Sequence, residues 1–312
     1  MPCYGPLKGY RGAVNENGKR PVVFNRRLAG LPLELVEVPC GQCIGCLLER
    51  SRQWAMRCEH ECALYENNCF ITLTYSDDAL EDWKARGIPA YRRYSINVDE
   101  FQRFMKRLRK KVGADVRVFY CGEYGDKYGR PHYHAILFNF DFKDKVAWRR
   151  SNDQLIYRSA LLEACWPHGY SSVGSATFES AAYCARYCLK KVTGENARKM
   201  YVVVHEETGE ILEHWPPFAQ MSKGIGKAWY EKYRRDIYPH DKLWLRGRWM
   251  KPAKYYDGLY EVDEPNDLAR IKGERRRAAD THAADQTSRR LRDRERVQRA
   301  RLTRLPRSME SE

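Results

Sequence analysis

Apolar side chains in the first quarter of the chain pass from no clear period to a helical period and then to a strand-like run. Residues 1–45 are rich in glycine and proline and predict loops. In residues 47–66, apolar side chains such as Trp54 and Cys58 recur at helical spacing, which predicts a helix. Residues 69–75, with the sequence CFITLTY, are β-branched and aromatic, which predicts a strand.

The next part of the chain combines an amphipathic helix with a hairpin. Residues 99–112 place apolar side chains at i, i+3, i+4, i+7 and i+11, with lysine and arginine on the other side, which predicts a helix with one buried face. Residues 115–121 and 132–139 predict two strands. The segment 122–131 between them contains three glycines and a proline, which predicts the turn of a hairpin.

Four further elements complete a mixed pattern of helices and strands. A helix near 155–165 is followed by a strand at 170–178 and a helix at 179–191, and residues 200–204 predict one more strand. The order strand, helix, strand, strand, helix, strand, helix predicts an α+β fold with a central antiparallel sheet flanked by helices.

The C-terminal part differs in composition. Residues 216–265 are rich in aromatic side chains, lysine and arginine, which indicates an irregular extension packed on the core. From Asn266 onward there are 14 Lys+Arg, 8 Asp+Glu and no aromatic residue, which is typical of a basic tail that is flexible or helical. The predicted parts are a Cys-rich N-terminal segment with its helix, a core, the aromatic and basic extension and the tail: 1–66, 67–205, 206–265 and 266–312.

The charge of the chain indicates an anionic partner. There are 56 Lys+Arg against 41 Asp+Glu, a formal net charge of +15, and 43% of the residues are hydrophobic. This composition excludes a fully disordered chain, and it favours nucleic acid as the partner. No apolar run approaches the ~20 residues of a membrane span, and the first residues lack the apolar segment of a signal peptide. We therefore expect a cytosolic protein without a membrane partner.

Cysteine spacing suggests a second kind of chemistry. The chain has 11 cysteines, and without an export signal a disulfide framework is not expected. A run with two-residue spacing contains Cys40, Cys43 and Cys46. Such thiolates can converge on a structural Zn²⁺, which takes four ligands. Cys3 is the favoured fourth ligand because it also lies in a loop, and Cys58 and Cys62 are its rivals. The alternative is that these thiols are small buried hydrophobic side chains.

The segment RPHYHAILF carries a candidate metal site. Alternate side chains of a strand share a face, so His132 and His134 point the same way and Tyr133 packs on the opposite face. Glu123 lies across the predicted hairpin and can add a carboxylate. Two imidazoles and one carboxylate leave positions on a metal open for substrate oxygens, and such a metal can polarise a phosphate. The alternative is an ordinary pair of histidines on a strand.

The segment SAAYCARYCLKK carries candidate nucleophiles. Tyr183, Tyr187 and Lys190 fall within a narrow stripe of one helix face. A cation favours the phenolate, and a phenolic oxygen that attacks DNA phosphate would form a phosphotyrosine link. The alternative is a pair of half-buried tyrosines, which is common for this amphipathic residue.

Together these motifs resemble the HUH endonucleases, and more closely the replication initiation proteins of microviruses, especially the gokushovirus branch. The resemblance rests on the strand at 70–75, GEYG…RPHYH and YxxxYxxK, and it extends over the PCGQCIGC segment, FxxMSxGIGxxWY at 218–230 and PAKYYDGLYE at 252–261. It implies an HUH core with an RRM- or ferredoxin-like sheet.

The resemblance also implies roles for the candidate residues. His132, His134 and Glu123 would hold a catalytic Mg²⁺ or Mn²⁺, and Tyr183 and Tyr187 would be paired nucleophiles, with Lys190 the basic partner of the second. One tyrosine would nick the origin and stay on the 5′ end, the 3′-OH would prime synthesis, and the second would cut the regenerated origin so that the displaced strand is circularised. The chain departs from the family pattern at Arg186, which stands where a lysine would follow the first tyrosine. Which tyrosine acts first therefore stays open.

The same resemblance implies the setting of this activity. The substrates would be single-stranded and supercoiled origin DNA, the partners a host helicase and DNA polymerase, and the location the host bacterial cytoplasm. Two other interpretations remain at this point. A relaxase or HUH transposase would share the active-site residues, and a non-catalytic, zinc-stabilised nucleic-acid-binding protein would use the cysteines as its functional centre.

Overall fold

The structure is a computed structural model that describes residues 3–16, 18, 20–85, 94–113, 115–125, 129–151, 154–187, 201–204, 209 and 211–304. Helices in these residues are Ile44–Cys62 (α1), Asp77–Ala85 (α2), Val98–Val112 (α3), Ala160–Cys165 (α4), Phe178–Tyr187 (α5), Lys227–Ile237 (α6), Lys254–Asp263 (α7), Pro265–Asp280 (α8) and Ser288–Thr303 (α9). Strands are Leu7–Arg11 (β1), Val22–Val23 (β2), Leu35–Val38 (β3), Asn68–Tyr75 (β4), Arg117–Tyr124 (β5), Pro131–Phe138 (β6), Val146–Ser151 (β7), Gln154–Arg158 (β8), Gly169–Ser175 (β9), Val202–Val204 (β10), Ile211–Glu213 (β11), Phe218–Met221 (β12), Leu243–Leu245 (β13) and Arg248–Met250 (β14).

Seven strands form the main sheet, in the order β12-β5-β6-β4-β9-β8-β7. All of its strand pairs are antiparallel. Because β4 and β5 run parallel on either side of β6, the connection between them, which contains α2 and α3, must cross over a face of the sheet. The predicted α+β fold, with a central antiparallel sheet flanked by helices, is confirmed.

The two faces of this sheet are covered by different helices. Side chains of β4 alternate between them, and Ile71 and Tyr75 are fully buried in one hydrophobic cluster with Phe101 of α3 and with Trp166. Phe70 lies on the opposite face. There the second cluster combines side chains of α1, β5, β6 and α5: Ala55, Cys58, Phe119, Cys121, Ile136, Phe138, Ala181, Tyr183, Cys184 and Ala185. The sheet therefore separates an α3 face from an α5 face.

Tyr133 lies on the α3 face, as the alternation of the HxH strand predicts. Its side chain is fully buried in the α3 cluster. The Tyr133 hydroxyl accepts a hydrogen bond from the Asn97 backbone N–H at 2.6 Å and donates one to the Asn97 carbonyl oxygen at 2.9 Å. Asn97 is also the N-cap of α3, since its side chain accepts from the backbone N–H of Asp99. This tyrosine therefore fixes α3 to the sheet and leaves the neighbouring histidines on the other face.

The prediction of a helix over 155–165 is partly wrong. Its first residues belong to β8, which pairs with β7 as a hairpin. The helix starts only at Ala160, because Ser159 has extended backbone angles and its hydroxyl caps the helix by accepting from the backbone N–H of Leu162. Ile156 and Tyr157 have strand-favouring side chains, and the turn-favouring Asn-Asp pair at 152–153 was the overlooked signal in the sequence.

The prediction of an irregular extension over 216–265 is also wrong. β12 pairs with β5 at the edge of the main sheet, and the Phe218 ring lies over Gly122, where an added Cβ would be only 2.8 Å from that ring. After it come two helices, α6 and α7. Aromatic rings join them, as in the stacked pair Tyr230–Tyr256, with centroids 5.8 Å apart. The aromatic residues thus build a local core instead of an irregular surface.

His60 of α1 is part of this aromatic core and should make stability depend on pH. Its ring stacks on Trp229 at 3.5 Å, its Nδ1 lies 2.9 Å from the Tyr256 hydroxyl, and burial lowers the pKa of His60 to about 3. An unfolded histidine titrates near ~6.5, so the unfolded chain binds the proton more tightly, and stability is lost as pH falls below that value. Between pH 7 and pH 5 this loss is about 2 kcal/mol.

The measurement is urea unfolding of the wild type and His60→Gln at both pH values. Glutamine keeps a hydrogen-bonding group near Tyr256 but does not titrate. We expect the wild type to lose about 2 kcal/mol more than the variant on acidification. An equal loss in both proteins would show that His60 is not the titrating group.

Contacts along the chain define two compact units. One combines Met1–Arg50 with Ala269–Pro306, and the other contains Ser51–Leu268. In the first unit, β1 pairs with β2 and β3 in a small antiparallel sheet, so the prediction of loops over 1–45 is incomplete. Most of the predicted tail is helical, in α8 and α9. No helix in the described ranges has the length and apolar character to cross a membrane.

Candidate active site

The β5–β6 hairpin brings the predicted metal ligands to one face of the sheet. Glu123 is directly opposite His132 in the register of the two strands, and His134 follows two residues later on the same face. His134 Nε2 lies 2.8 Å from Glu123 Oε1. Both side chains are buried, with 7% of His134 and 3% of Glu123 exposed. At this distance the carboxylate and the imidazole are within hydrogen-bonding range.

Strand β4 supplies two threonines that orient the histidine rings. In the antiparallel register, Thr72 is paired with His134 and Thr74 with His132. The Thr72 hydroxyl lies 3.0 Å from His134 Nδ1, and the Thr74 hydroxyl lies 2.9 Å from His132 Nδ1. With each Nδ1 engaged in this way, Nε2 is the nitrogen of each ring that a metal would take. Sequence reasoning missed these threonines, although their alternation in CFITLTY was a usable signal.

The protonation of His132 suits a ligand role. Burial, together with the neighbouring His134 and Arg130, lowers the pKa of His132 to about 3. The ring is therefore neutral near pH 7, which is the form that binds metals. The centroids of the His132 and His134 rings are 6.3 Å apart. Of the three predicted ligands, the structure brings Glu123 and His134 into direct contact, and His132 is not gathered with them as closely as the four thiols described below.

Helix α5 brings Tyr183 to the same place. Its first turn is fixed by reciprocal bonds, in which the backbone N–H of Ser180 donates to the Thr177 side chain and that of Thr177 donates to the Ser180 hydroxyl. The Tyr183 ring meets the His134 ring edge-on, with centroids 4.9 Å apart, and its hydroxyl donates to Glu123 Oε1 at 3.1 Å. A phenol, a carboxylate and an imidazole are therefore in mutual contact.

The second half of the tyrosine motif is less fully described. Tyr187 is the last described residue of α5, but its side chain lies outside the described residues. Lys190 lies entirely outside them. Of the two predicted nucleophiles, Tyr183 is thus the one whose side chain is described, and it contacts the predicted ligands Glu123 and His134.

The predicted thiol ligands come together in the other unit. Their sulfur atoms all lie within 4.8 Å of one another: Cys3, Cys40, Cys43 and Cys46. In the described part of the chain, no other set of three or more His, Cys, Asp and Glu side chains is gathered so closely. The rival candidates Cys58 and Cys62 belong to α1 and are not in the group.

Comparisons with known proteins place the chain in a family. The family model for replication-associated protein ORF2/G2P matches residues 68–192, which include both candidate motifs. Replication-associated protein VP4 of Bdellovibrio phage phiMH2K is 29% identical over 276 residues, which cover 85% of this chain and 79% of that protein. Replication-associated protein ORF2 of Spiroplasma virus 4 is 30% identical over 256 residues, covering 78% and 74%. No solved structure gives a significant match.

A third relative agrees with these two. Replication-associated protein ORF4 of Chlamydia phage 1 is 33% identical over 163 residues, which cover 49% of this chain and 38% of that protein. The predicted resemblance to gokushovirus-like replication initiators is thereby confirmed. The chain belongs to the family of phage replication-associated proteins.

Proposed function

We propose that this protein initiates rolling-circle replication as a metal-dependent nickase and strand transferase. In this proposal it cuts one strand of the phage origin, keeps the 5′ end as a phosphotyrosine and later joins the displaced strand into a circle. The observation that carries the proposal is the contact of the Tyr183 hydroxyl with Glu123, whose carboxylate also pairs with His134. A nucleophile and metal-ligating groups are thereby close enough to act on one phosphate.

Glu123 and His134 are in contact and His132 lies on the same face, and these donor types suit a divalent ion. His132, His134 and Glu123 would hold Mg²⁺ or Mn²⁺, since neutral imidazole and carboxylate suit both ions. When bound, the ion supplies Lewis acidity to the scissile phosphate. The protein itself positions the DNA strand and the attacking oxygen.

The tyrosine step exchanges one phosphodiester for another. The Tyr183 hydroxyl oxygen forms a bond to phosphorus while the bond from phosphorus to the 3′ oxygen breaks. The phenol loses its proton, and the departing 3′ oxygen gains one and becomes a 3′-OH. Glu123 holds the phenol through its hydrogen bond and so limits the positions of the attacking oxygen. Because the 5′ phosphate stays esterified, joining needs no further energy source.

The joining step needs a second nucleophile. From the motif resemblance, we assign this role to Tyr187, with Lys190 as its basic partner. Its attack at the regenerated origin would release a new 3′-OH, which then attacks the first phosphotyrosine and closes the circle. The cycle further implies supercoiled origin DNA, a host helicase and a host polymerase in the bacterial cytoplasm.

A denaturing gel tests the proposal. The protein is incubated with single-stranded oligonucleotides that tile the phage genome, with Mg²⁺, Mn²⁺ or chelator. We expect a covalent protein–DNA band and a shortened strand with one tile and a divalent ion, and neither with chelator. The proposal fails if no tile gives the band, or if Tyr183→Phe/Tyr187→Phe still gives it.

Replacing either threonine of β4 should weaken metal binding without abolishing nicking. Thr72→Val and Thr74→Val keep the side-chain shape but remove the partner of His134 Nδ1 or His132 Nδ1. Loss of such an orienting bond weakens metal affinity or activity by about 10–100-fold. We expect nicking by each variant to need more Mn²⁺, with a near-normal rate at saturation. Unchanged Mn²⁺ dependence in both variants would remove the threonines from the site.

A further inference from the structure

The first unit contains a group of four cysteines that the proposed nicking chemistry does not use. The sulfurs of Cys40 and Cys46 are 4.0 Å apart, those of Cys3 and Cys43 are 3.9 Å apart, and all four lie within 4.8 Å of one another. Four thiolates around one Zn²⁺ at ~2.3 Å are about 3.8 Å apart at tetrahedral angles. We propose that these cysteines bind one structural Zn²⁺, separate from the ion of the nicking site.

Three of the four sulfurs accept hydrogen bonds from the backbone, and the four cysteines form no disulfide with one another. All four cysteines are free. Backbone N–H groups donate to three of the sulfurs: Tyr4 to Cys43 at 3.3 Å, Cys40 to Cys3 at 3.2 Å and Cys43 to Cys40 at 3.3 Å. These bonds fix the loop backbone around the sulfurs and so hold the four side chains in one group.

The fold brings these residues together from two distant parts of the chain. β1 pairs with β3 so that Leu7 is opposite Val38, which places the loop with Cys3 beside the residues after β3. Gly41 adopts a left-handed φ of 77°, which turns the chain between Cys40 and Cys43. Cys46 lies in the first turn of α1. The metal would thus join the N-terminal loop to the start of this helix.

The surrounding segment needs such a cross-link. In the described residues up to position 50, Tyr4 is the only hydrophobic side chain that is buried. Several apolar side chains there are exposed instead: Leu7, Val14, Phe24, Leu28, Leu31, Leu33 and Leu35. A small sheet without its own hydrophobic core is not expected to be stable alone, and metals commonly replace the missing core in such segments. The lack of a hydrophobic core in this segment is an observation independent of the sulfur geometry, and it supports the same metal site.

Sulfur ligation also limits which metal ions can bind at this site. Four thiolates in a tetrahedron select Zn²⁺ or iron, whereas Mg²⁺ and Mn²⁺ prefer oxygen and nitrogen ligands. All four positions would be filled by protein, as in structural zinc sites, so no water remains to be activated. The role is therefore to stabilise the fold of the N-terminal segment, and the thiols take no part in DNA cleavage.

Metal analysis of the full-length protein tests this inference. The protein is purified without chelator, and zinc and iron are measured by mass spectrometry of the elements. We expect one zinc per chain in the wild type, in Cys62→Ser and in His132→Ala/His134→Ala, and loss of that zinc in Cys43→Ser and Cys46→Ser. Cys62 is the matched control because it is a cysteine of α1 outside the group.

Spectroscopy of the wild type keeps the inference testable if the cysteine variants do not fold. X-ray absorption at the zinc edge should show four sulfurs at about 2.3 Å, and Co²⁺ exchanged into the protein should give the intense visible bands of a tetrahedral thiolate site. Iron in place of zinc, zinc retained in Cys43→Ser, or a zinc with nitrogen and oxygen neighbours would each overturn it. Nicking assays do not enter the test, so its failure is distinguishable from failure of the proposed function.

Discussion

Replacing Tyr183 with phenylalanine should abolish the covalent link between protein and DNA. The variant loses the oxygen that, in the proposed mechanism, attacks phosphorus. We expect first-strand cleavage to fall by at least about a thousandfold, the order observed when an enzyme loses its nucleophile. The ring would keep its edge-on contact with His134, so the fold should lose only the hydrogen bond to Glu123, worth about 1 kcal/mol.

Two controls make this result specific. Tyr170→Phe changes a tyrosine that is 65% exposed on β9, and it should leave the adduct unchanged. Tyr187→Phe should still form the first adduct but fail to join the displaced strand. A Tyr183→Phe protein that melts like the wild type and yet forms the normal adduct would remove Tyr183 from the mechanism.

Replacing His134 is the second substitution with a large expected effect. His134→Ala removes one of the two proposed imidazole ligands and leaves the buried carboxylate of Glu123 without this partner. We expect cleavage at a fixed Mn²⁺ concentration to fall by at least about a hundredfold, because a lost ligand should cost at least as much as a lost orienting partner. Cleavage rate against Mn²⁺ concentration is the measurement, with a thermal melt to exclude unfolding.

This experiment also separates the enzyme from a non-catalytic nucleic-acid-binding protein. In the latter, the thiols would be the functional centre and the histidines ordinary strand residues. His134→Ala would then keep every measurable activity as long as zinc is retained. Normal cleavage by a folded His134→Ala protein would therefore contradict the proposed site.

The local sequence pattern was sufficient to predict the hairpin that carries the three candidate metal ligands. The period of two places His132 and His134 on one face, and the glycine-rich turn sets Glu123 across from His132. These relations depend only on strand geometry and on a short connection. The local pattern also predicted the basic helix at 99–112, whose predicted bounds differ by one residue from those of α3.

Long-range placement could not be predicted in this way. Tyr183 reaches Glu123 across 60 residues of sequence, and its helix follows β9, which pairs with β4, and packs on the histidine face. Helix α3 lies on the opposite face, so its lysines and arginines are across the sheet from the candidate site. A helical period shows that one side of α3 is buried, but not which face of the sheet buries it. Its basic side therefore lies away from the candidate site.

The N-terminal segment illustrates the same limit. Glycine and proline correctly indicated a chain with many turns, but β1 and β3 are held together by pairing between strands that are far apart in sequence. The choice of Cys3 as the fourth thiol agrees with the structure because this pairing brings it beside Cys40. Cysteine spacing alone left Cys58 and Cys62 as rivals to Cys3.

Mapping the covalent adduct tests the central claim most directly. The wild type is reacted with the cleaved oligonucleotide and Mn²⁺, digested with nuclease and trypsin, and the modified peptide is sequenced by mass spectrometry. Because Arg186 lies between the two tyrosines, trypsin separates residues 159–186 from residues 187–190. The account predicts a nucleotide phosphate on Tyr183 in the first peptide, formed only with divalent ion. Modification of another residue in place of Tyr183, or cleavage of DNA without a covalent adduct, would contradict it.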